Sequence, residues 1–147
     1  MNNINLKNII LALILSLFFV PAIKAQPTSP EQLKDELEVA MKAKDKDKIS
    51  ALFYWVGVGN MMKENSQRNI DKMAEYPAQK IELLPLPDDF QTEFIRDGLK
   101  YIPNIKLVGM LKIIYGDDGP PTFTDANIPY GIKDGKYYLP NTIVQPN

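Results

Sequence analysis

The chain of 147 residues contains no cysteine, no histidine and a single tryptophan. Without cysteine there is no disulfide framework, no thiolate metal site, no iron–sulfur cluster and no thiol nucleophile. Without histidine there is no Ser-His-Asp or Cys-His apparatus, no H-E-x-x-H zinc site and no side chain whose unperturbed pKa lies near neutrality. What survives is carboxylate, Lys, Tyr or Ser/Thr chemistry, hard-cation binding, or binding without chemistry. No spacing in the chain specifies a catalytic residue, a metal site or a cofactor. The remaining composition, 45% hydrophobic and 24% charged, fits one compact folded domain.

The N-terminus reads as an address. Met1 to Asn8 is polar and carries Lys7, and Ile9 to Val20 is a 12-residue stretch in which only Ser16 is polar. Pro21 breaks the run, and Ala22-Ile23-Lys24-Ala25 then offers a small residue at a signal-peptidase site, so cleavage is expected between Ala25 and Gln26. The competing reading is an uncleaved membrane anchor. Twelve helical residues rise only about 18 Å, against a hydrocarbon core of about 30 Å. Residues 1–25 are therefore expected to be a cleavable signal peptide that meets the membrane only during export, with a periplasmic or secreted product. Both Lys7 and Lys24 lie before the cleavage point and no acid does, which leaves 122 residues of formal charge −3. That sign argues against nucleic acid as a partner. A core of this size can stand without disulfides.

The expected organisation is a disordered leader at 26–29, one α+β domain at 30–143 and a frayed tail at 144–147. Ser29-Pro30-Glu31-Gln32 reads as an N-cap, a proline at the first helical position and a capping-box glutamine. Leu33, Leu37, Ala40 and Met41 then make one apolar stripe. Lys44 to Lys48 alternates charge and marks a helix–helix junction capped by Asp45 or Asp47. An EF-hand starting at Asp45 would need glycine at Ser50 and glutamate at Val56, so a calcium loop fails. A second helix carries Ile49, Leu52, Phe53 and Val56, and a third, capped by Asn60, carries Met62, Ile70 and Met73 and stops at Tyr76-Pro77.

Past Pro77 the period becomes that of strands. Gln79 to Leu84 reads as an edge strand limited by Pro85 and Pro87. Two Asp-Gly pairs, Asp97-Gly98 and Asp134-Gly135, signal tight hairpins. The first sets Phe94 opposite Tyr101 and Arg96 opposite Leu99 on a face turned to the core, with a short helix over 88–93 as a rival. The second sets Ile132 opposite Tyr137, Lys133 opposite Lys136, and Gly131 beneath the Tyr138 ring. Ile105 to Tyr115 is apolar on both faces and should be a central strand, bent or bulged at Gly109. The expected fold is α+β: N-terminal helices on a curved, mainly antiparallel sheet, a meander with two Asp-Gly hairpins.

The segment Ala43-Lys44-Asp45-Lys46-Asp47-Lys48-Ile49-Ser50-Ala51-Leu52-Phe53 resembles the second-helix opening of the ketosteroid-isomerase-like, nuclear-transport-factor-like superfamily. That resemblance implies a conical pocket and a repertoire that spans small-molecule enzymes and non-catalytic binding domains; no position matches an active-site motif of the superfamily. The tail from Ile128 to Leu139 is similar to hairpins of small exported bacterial proteins of unknown function.

The functional expectation is non-catalytic binding of a small molecule, peptide or envelope protein. Trp55, Tyr101, Tyr115, Tyr130 and Tyr138 are the candidate ligand-binding residues, because their rings combine apolar area with a polar tip. The rival is a carboxylate-dependent hydrolase or isomerase built on Asp88-Asp89 or Asp117-Asp118, where two close acids could raise one pKa.

Overall fold

The computed structural model describes residues 25–146; the hydrophobic stretch assigned to the signal peptide lies outside the described residues. Three helices precede seven strands: α1 (Pro30–Lys42), α2 (Lys46–Ala51) and α3 (Asn60–Glu75), then β1 (Ala78–Leu84), β2 (Phe94–Arg96), β3 (Leu99–Pro103), β4 (Lys106–Tyr115), β5 (Asp125–Lys133), β6 (Lys136–Tyr138) and β7 (Thr142–Pro146). The strands form two antiparallel sheets, a four-stranded one in the order β1-β4-β5-β6 and a three-stranded one in the order β2-β3-β7. The fold is thus α+β, helices packed against a curved antiparallel sheet.

Local chemistry explains where the helices begin. Ser29 Oγ accepts the Gln32 N–H at 3.1 Å, and Pro30 fills the first helical position, where a missing N–H costs nothing. The Gln32 side chain reaches one residue further back than a capping box requires, its Oε1 accepting the Thr28 N–H at 2.8 Å. Asp45 caps α2 through the Lys48 N–H, and that hydrogen bond, with the Lys48 side chain, holds its carboxyl below the usual range. α3 departs from expectation: Gly59 stands at its N-cap with no side-chain hydrogen bond, and Asn60 is already helical.

The stripe on α1 is buried as its spacing demands, with Leu33, Leu37 and Met41 fully enclosed. Each such side chain contributes roughly 1.5–3 kcal/mol of burial. They meet Ile49, Ile70, Leu111, Ile113 and Leu139 in one continuous core. α1 lies directly on β1, whereas α3 packs mainly on α1 and α2 and sends Ile70, Met73 and Ala74 into the same core.

Two ends of the chain differ from expectation. Gln26 to Ser29, expected as a disordered leader, is tied down: Pro27 is fully buried, its carbonyl accepts the Tyr137 N–H at 2.9 Å, and Gln26 Nε2 donates to the Ala51 carbonyl at 3.1 Å. The tail expected to fray instead forms β7, which pairs with β3 from Thr142↔Pro103 to Pro146↔Leu99. Its alternation is weak in sequence, and only the exposed edge of the first hairpin gives it a partner.

Both hairpins have the predicted register, with Phe94↔Tyr101, Arg96↔Leu99, Ile132↔Tyr137 and Lys133↔Lys136 paired. Asp97, Gly98, Asp134 and Gly135 all have positive φ, as the two central residues of a type I′ turn must. The first hairpin nevertheless leaves the main sheet, and Phe94 is 53% exposed instead of turned to the core. Asp88 and Asp89 form a turn and not a helix, closed by the Phe90 N–H on the Pro87 carbonyl. α2 stops at Ala51, before Val56. From Leu52 the chain runs alongside Leu139, with the Leu139 N–H on the Leu52 carbonyl and the Tyr54 N–H on the Leu139 carbonyl.

β4 lies between β1 and β5, and its register with β5 shifts between Leu107 and Gly109. The bulge sits where glycine was expected to bend the strand. A Cβ at Gly109 would fall within the edge of the buried Tyr130 ring, so the ring crosses the backbone there. Gly131 pairs with Tyr138 as expected, and a Cβ there would also lie 2.5 Å from the Lys106 carbonyl oxygen and 2.7 Å from Ile105 Cδ1.

Candidate ligand-binding cleft

Between α3 and the two sheets lies an open cleft of about 510 Å³, within the range of roughly 300–1,000 Å³ that holds small-molecule ligands. Six aromatic rings border it: Phe53 after α2, Phe90 in the β1–β2 connection, Phe94 on β2, Tyr101 on β3, Tyr115 at the end of β4, and Phe123 before β5. Ile128, Pro129, Leu107 and Pro103 continue the apolar wall. Phe94 and Tyr101 stack in parallel with centroids 4.7 Å apart, a direct result of the Asp97-Gly98 register. Tyr115 and Phe123 meet edge to face at 5.8 Å, and half-burial raises the Tyr115 phenol above its ordinary pKa. It stays neutral at physiological pH, available as a hydrogen-bond donor or acceptor.

The polar side of the cleft comes from α3. Ser66, Asn69 and Met73 recur at i, i+3 and i+7 and so share one face, with Lys72 beside them at the outer rim. Below them a hydrogen-bond knot fixes the floor. Ser66 Oγ donates to Asn141 Oδ1, and Asn141, 4% exposed, donates through Nδ2 to the Tyr54 carbonyl at 2.8 Å. Asn104 Oδ1 accepts the Asn141 N–H at 2.9 Å, while Asn104 Nδ2 donates to the carbonyls of Tyr54 at 2.7 Å and Val56 at 3.1 Å. Two asparagines distant in sequence thereby join α3, the loop after α2, the β3–β4 corner and the start of β7.

Of the five rings named from sequence, the cleft brings together Tyr101 and Tyr115. Trp55 lies elsewhere, beside Ser50, Lys63, Glu64 and Gln67, with its indole N–H on the Ser50 carbonyl at 2.9 Å and its ring 5.9 Å from Phe53. Tyr130 is buried in the core over Gly109, and burial, then the neighbouring Tyr137 and Glu31, raises its pKa. Tyr138 packs edge to face on Tyr54 at 5.2 Å. Strand alternation sends Tyr137 and Tyr138 to opposite faces, and neither borders the cleft. Sequence assigns Phe53 to the second helix and Phe94 to the core face of the first hairpin, and gives Phe90 and Phe123 no place. Their signal was faint: Phe90 and Phe123 sit in proline-bounded loops with no periodicity to assign them a side.

The two acid pairs bear on the rival chemistry. Asp88, Asp89, Asp117 and Asp118 are all exposed in loops, and no carboxylate borders the cleft among the described residues. No group of three or more metal-ligating side chains occurs among the described residues, and no described helix is long and apolar enough to cross a membrane.

Comparison with known proteins gives little to set beside this geometry. No family profile matches the chain, and no curated protein matches it. One solved chain, titled Rd1NTF2_05 with a series of point substitutions, aligns over 78% of this chain and 95% of its own, at 13% identity and a TM-score of 0.36.

Proposed function

We propose that this protein is an exported, non-catalytic binding domain whose cleft takes a small, largely apolar molecule. The observation that carries the reading is the convergence of six aromatic rings from different parts of the chain on one side of α3. Rings held by a hairpin register and a strand end form a ready-made surface for a flat or branched apolar body. Little side-chain entropy is then lost on binding. The polar lining on α3 would orient the ligand and carries no nucleophile–base pair or paired carboxylates that a hydrolase or isomerase would need. The conical pocket implied by the nuclear-transport-factor-like resemblance fits the same reading.

Export rests on the N-terminal sequence pattern. Cleavage between Ala25 and Gln26 would keep the described anchors of the leader, since those contacts begin at Gln26 and Pro27. Mass spectrometry of the exported protein should find a species beginning at Gln26; an intact Met1 would overturn this part of the proposal.

The binding reading is tested by titration with N-phenyl-1-naphthylamine, a neutral fluorophore that brightens in apolar sites. Saturable binding is expected, and Phe94→Ser should weaken it about five- to tenfold, because losing one stacked ring removes roughly 1 kcal/mol or more of contact. Phe94 is half exposed, so folding should survive. Absence of saturable binding, or equal affinity in the variant, would refute the cleft as the site.

A further inference from the structure

Resting on that reading of the cleft, we infer that its ligand is a monoanion, an acidic group at one end of an apolar body, with Lys72 as the counter-charge. Lys72 is the one charged side chain bordering the cleft among the described residues. Three lysines elsewhere are engaged: Lys46 holds Asp71 at 2.7 Å, Lys100 holds Glu93 at 2.7 Å and Lys112 holds Asp125 at 3.1 Å; Lys44, Lys63, Lys106 and Lys136 are in no described ion pair, but none of them borders the cleft. No such pair involves Lys72 among the described residues. Its sequence neighbour Asp71 is taken up by Lys46, on α2, so the acid nearest in sequence is drawn toward α2 and not toward the cleft.

Asn69 stands one turn before Lys72 on the same rim, and its amide is not committed to another described residue. An ammonium and an amide N–H₂ at i and i+3 can both donate to one carboxylate or sulfonate while the rings take the apolar part. A cationic ligand would meet the Lys72 charge and no carboxylate in the lining. The residues beyond Ala25 carry a formal charge of −3, so the chain as a whole repels anions. Selection for an anion must therefore be local, and Lys72 is where it would act. Because the rim is open to water, the attraction is moderate and salt-sensitive.

The test compares two fluorophores on one skeleton, the neutral N-phenyl-1-naphthylamine and its sulfonated counterpart 1-anilinonaphthalene-8-sulfonate. At low ionic strength the purified protein should bind the sulfonate about three- to tenfold more tightly, and raising salt to about 0.5 M should shrink that ratio. Lys72→Met keeps the aliphatic stem and should bring the ratio to about one by weakening the sulfonate compound. A ratio at or below one in the unmodified protein would overturn the inference and leave the cleft reading standing, as would a preference that survives Lys72→Met. Failure of both compounds to bind would overturn the two together.

Discussion

Removing the Asn104 side chain should expose how much of the architecture depends on the knot beneath the cleft. Asn104→Ala deletes three hydrogen bonds whose losses are unequal. The Tyr54 carbonyl keeps its bond from Asn141 Nδ2, and the Val56 carbonyl lies at an exposed residue where water can replace the amide. The Asn141 N–H is different, because Asn141 is buried and Asn104 Oδ1 is its partner. Leaving that donor unsatisfied costs about 1–3 kcal/mol, and the bonds to the two carbonyls add about 1 kcal/mol net, for a total of about 2–4 kcal/mol. In a domain of this size a loss of 3 kcal/mol corresponds to a fall in Tm of about 10 °C. Chemical denaturation at pH 7 measures the free energy directly. Asn104→Asp supplies the internal control. It retains an acceptor for the Asn141 N–H but points a carboxylate at two carbonyl oxygens, so its folded pKa is raised above the unfolded value. The variant should be at its worst at pH 7 and recover as pH falls through that raised pKa, because a protonated carboxyl can donate again. A cost below about 0.5 kcal/mol for Asn104→Ala, or an Asn104→Asp variant indifferent to pH, would refute the reasoning.

Two further outcomes test the fold. Gly109→Ala drives a methyl into the buried Tyr130 ring and should cost about 1–3 kcal/mol, and combining it with Tyr130→Leu should cost less than the sum of the two single changes in a double-mutant cycle of urea midpoints. Asp45 has its folded pKa depressed by the Lys48 N–H, so its stabilising effect is complete above the unfolded value of about 3.9 and is lost as pH falls through the lower folded value; Asp45→Asn, which caps without ionising, should flatten the acid limb of the stability–pH curve in that window.

Much of the skeleton was legible because its determinants are local. Ser29 with Pro30, the Leu33–Leu37–Met41 stripe, Asp45 and the two Asp-Gly turns each specify their conformation within a few residues. Gly109 announced its bulge for the same reason. What escaped depends on partners far along the chain. β7 exists because the β2–β3 hairpin splits from the main sheet and presents an edge, and Pro27 is ordered because the Tyr137 N–H has its carbonyl to bond. The site followed the same division. Tyr101 and Tyr115 are recognisable in sequence as aromatic residues on strands, but which strand face meets the cleft is decided by how the two sheets and α3 are placed around it. Trp55 and Tyr130 had the right chemistry and went to other places, while Phe90 and Phe123 lie in loops that no period assigns. Asn104 and Asn141 are ordinary loop asparagines until the fold brings them within 2.9 Å.

Chemical-shift mapping of the backbone amides during titration with N-phenyl-1-naphthylamine tests the central claim most directly. Saturable shifts concentrated at Asn69, Lys72, Phe94, Tyr101, Tyr115 and Phe123, with Trp55, Tyr130 and Tyr138 little affected, are the result the cleft predicts. Shifts centred on Trp55 and its neighbours Lys63 and Gln67, or no saturable shift, would contradict it.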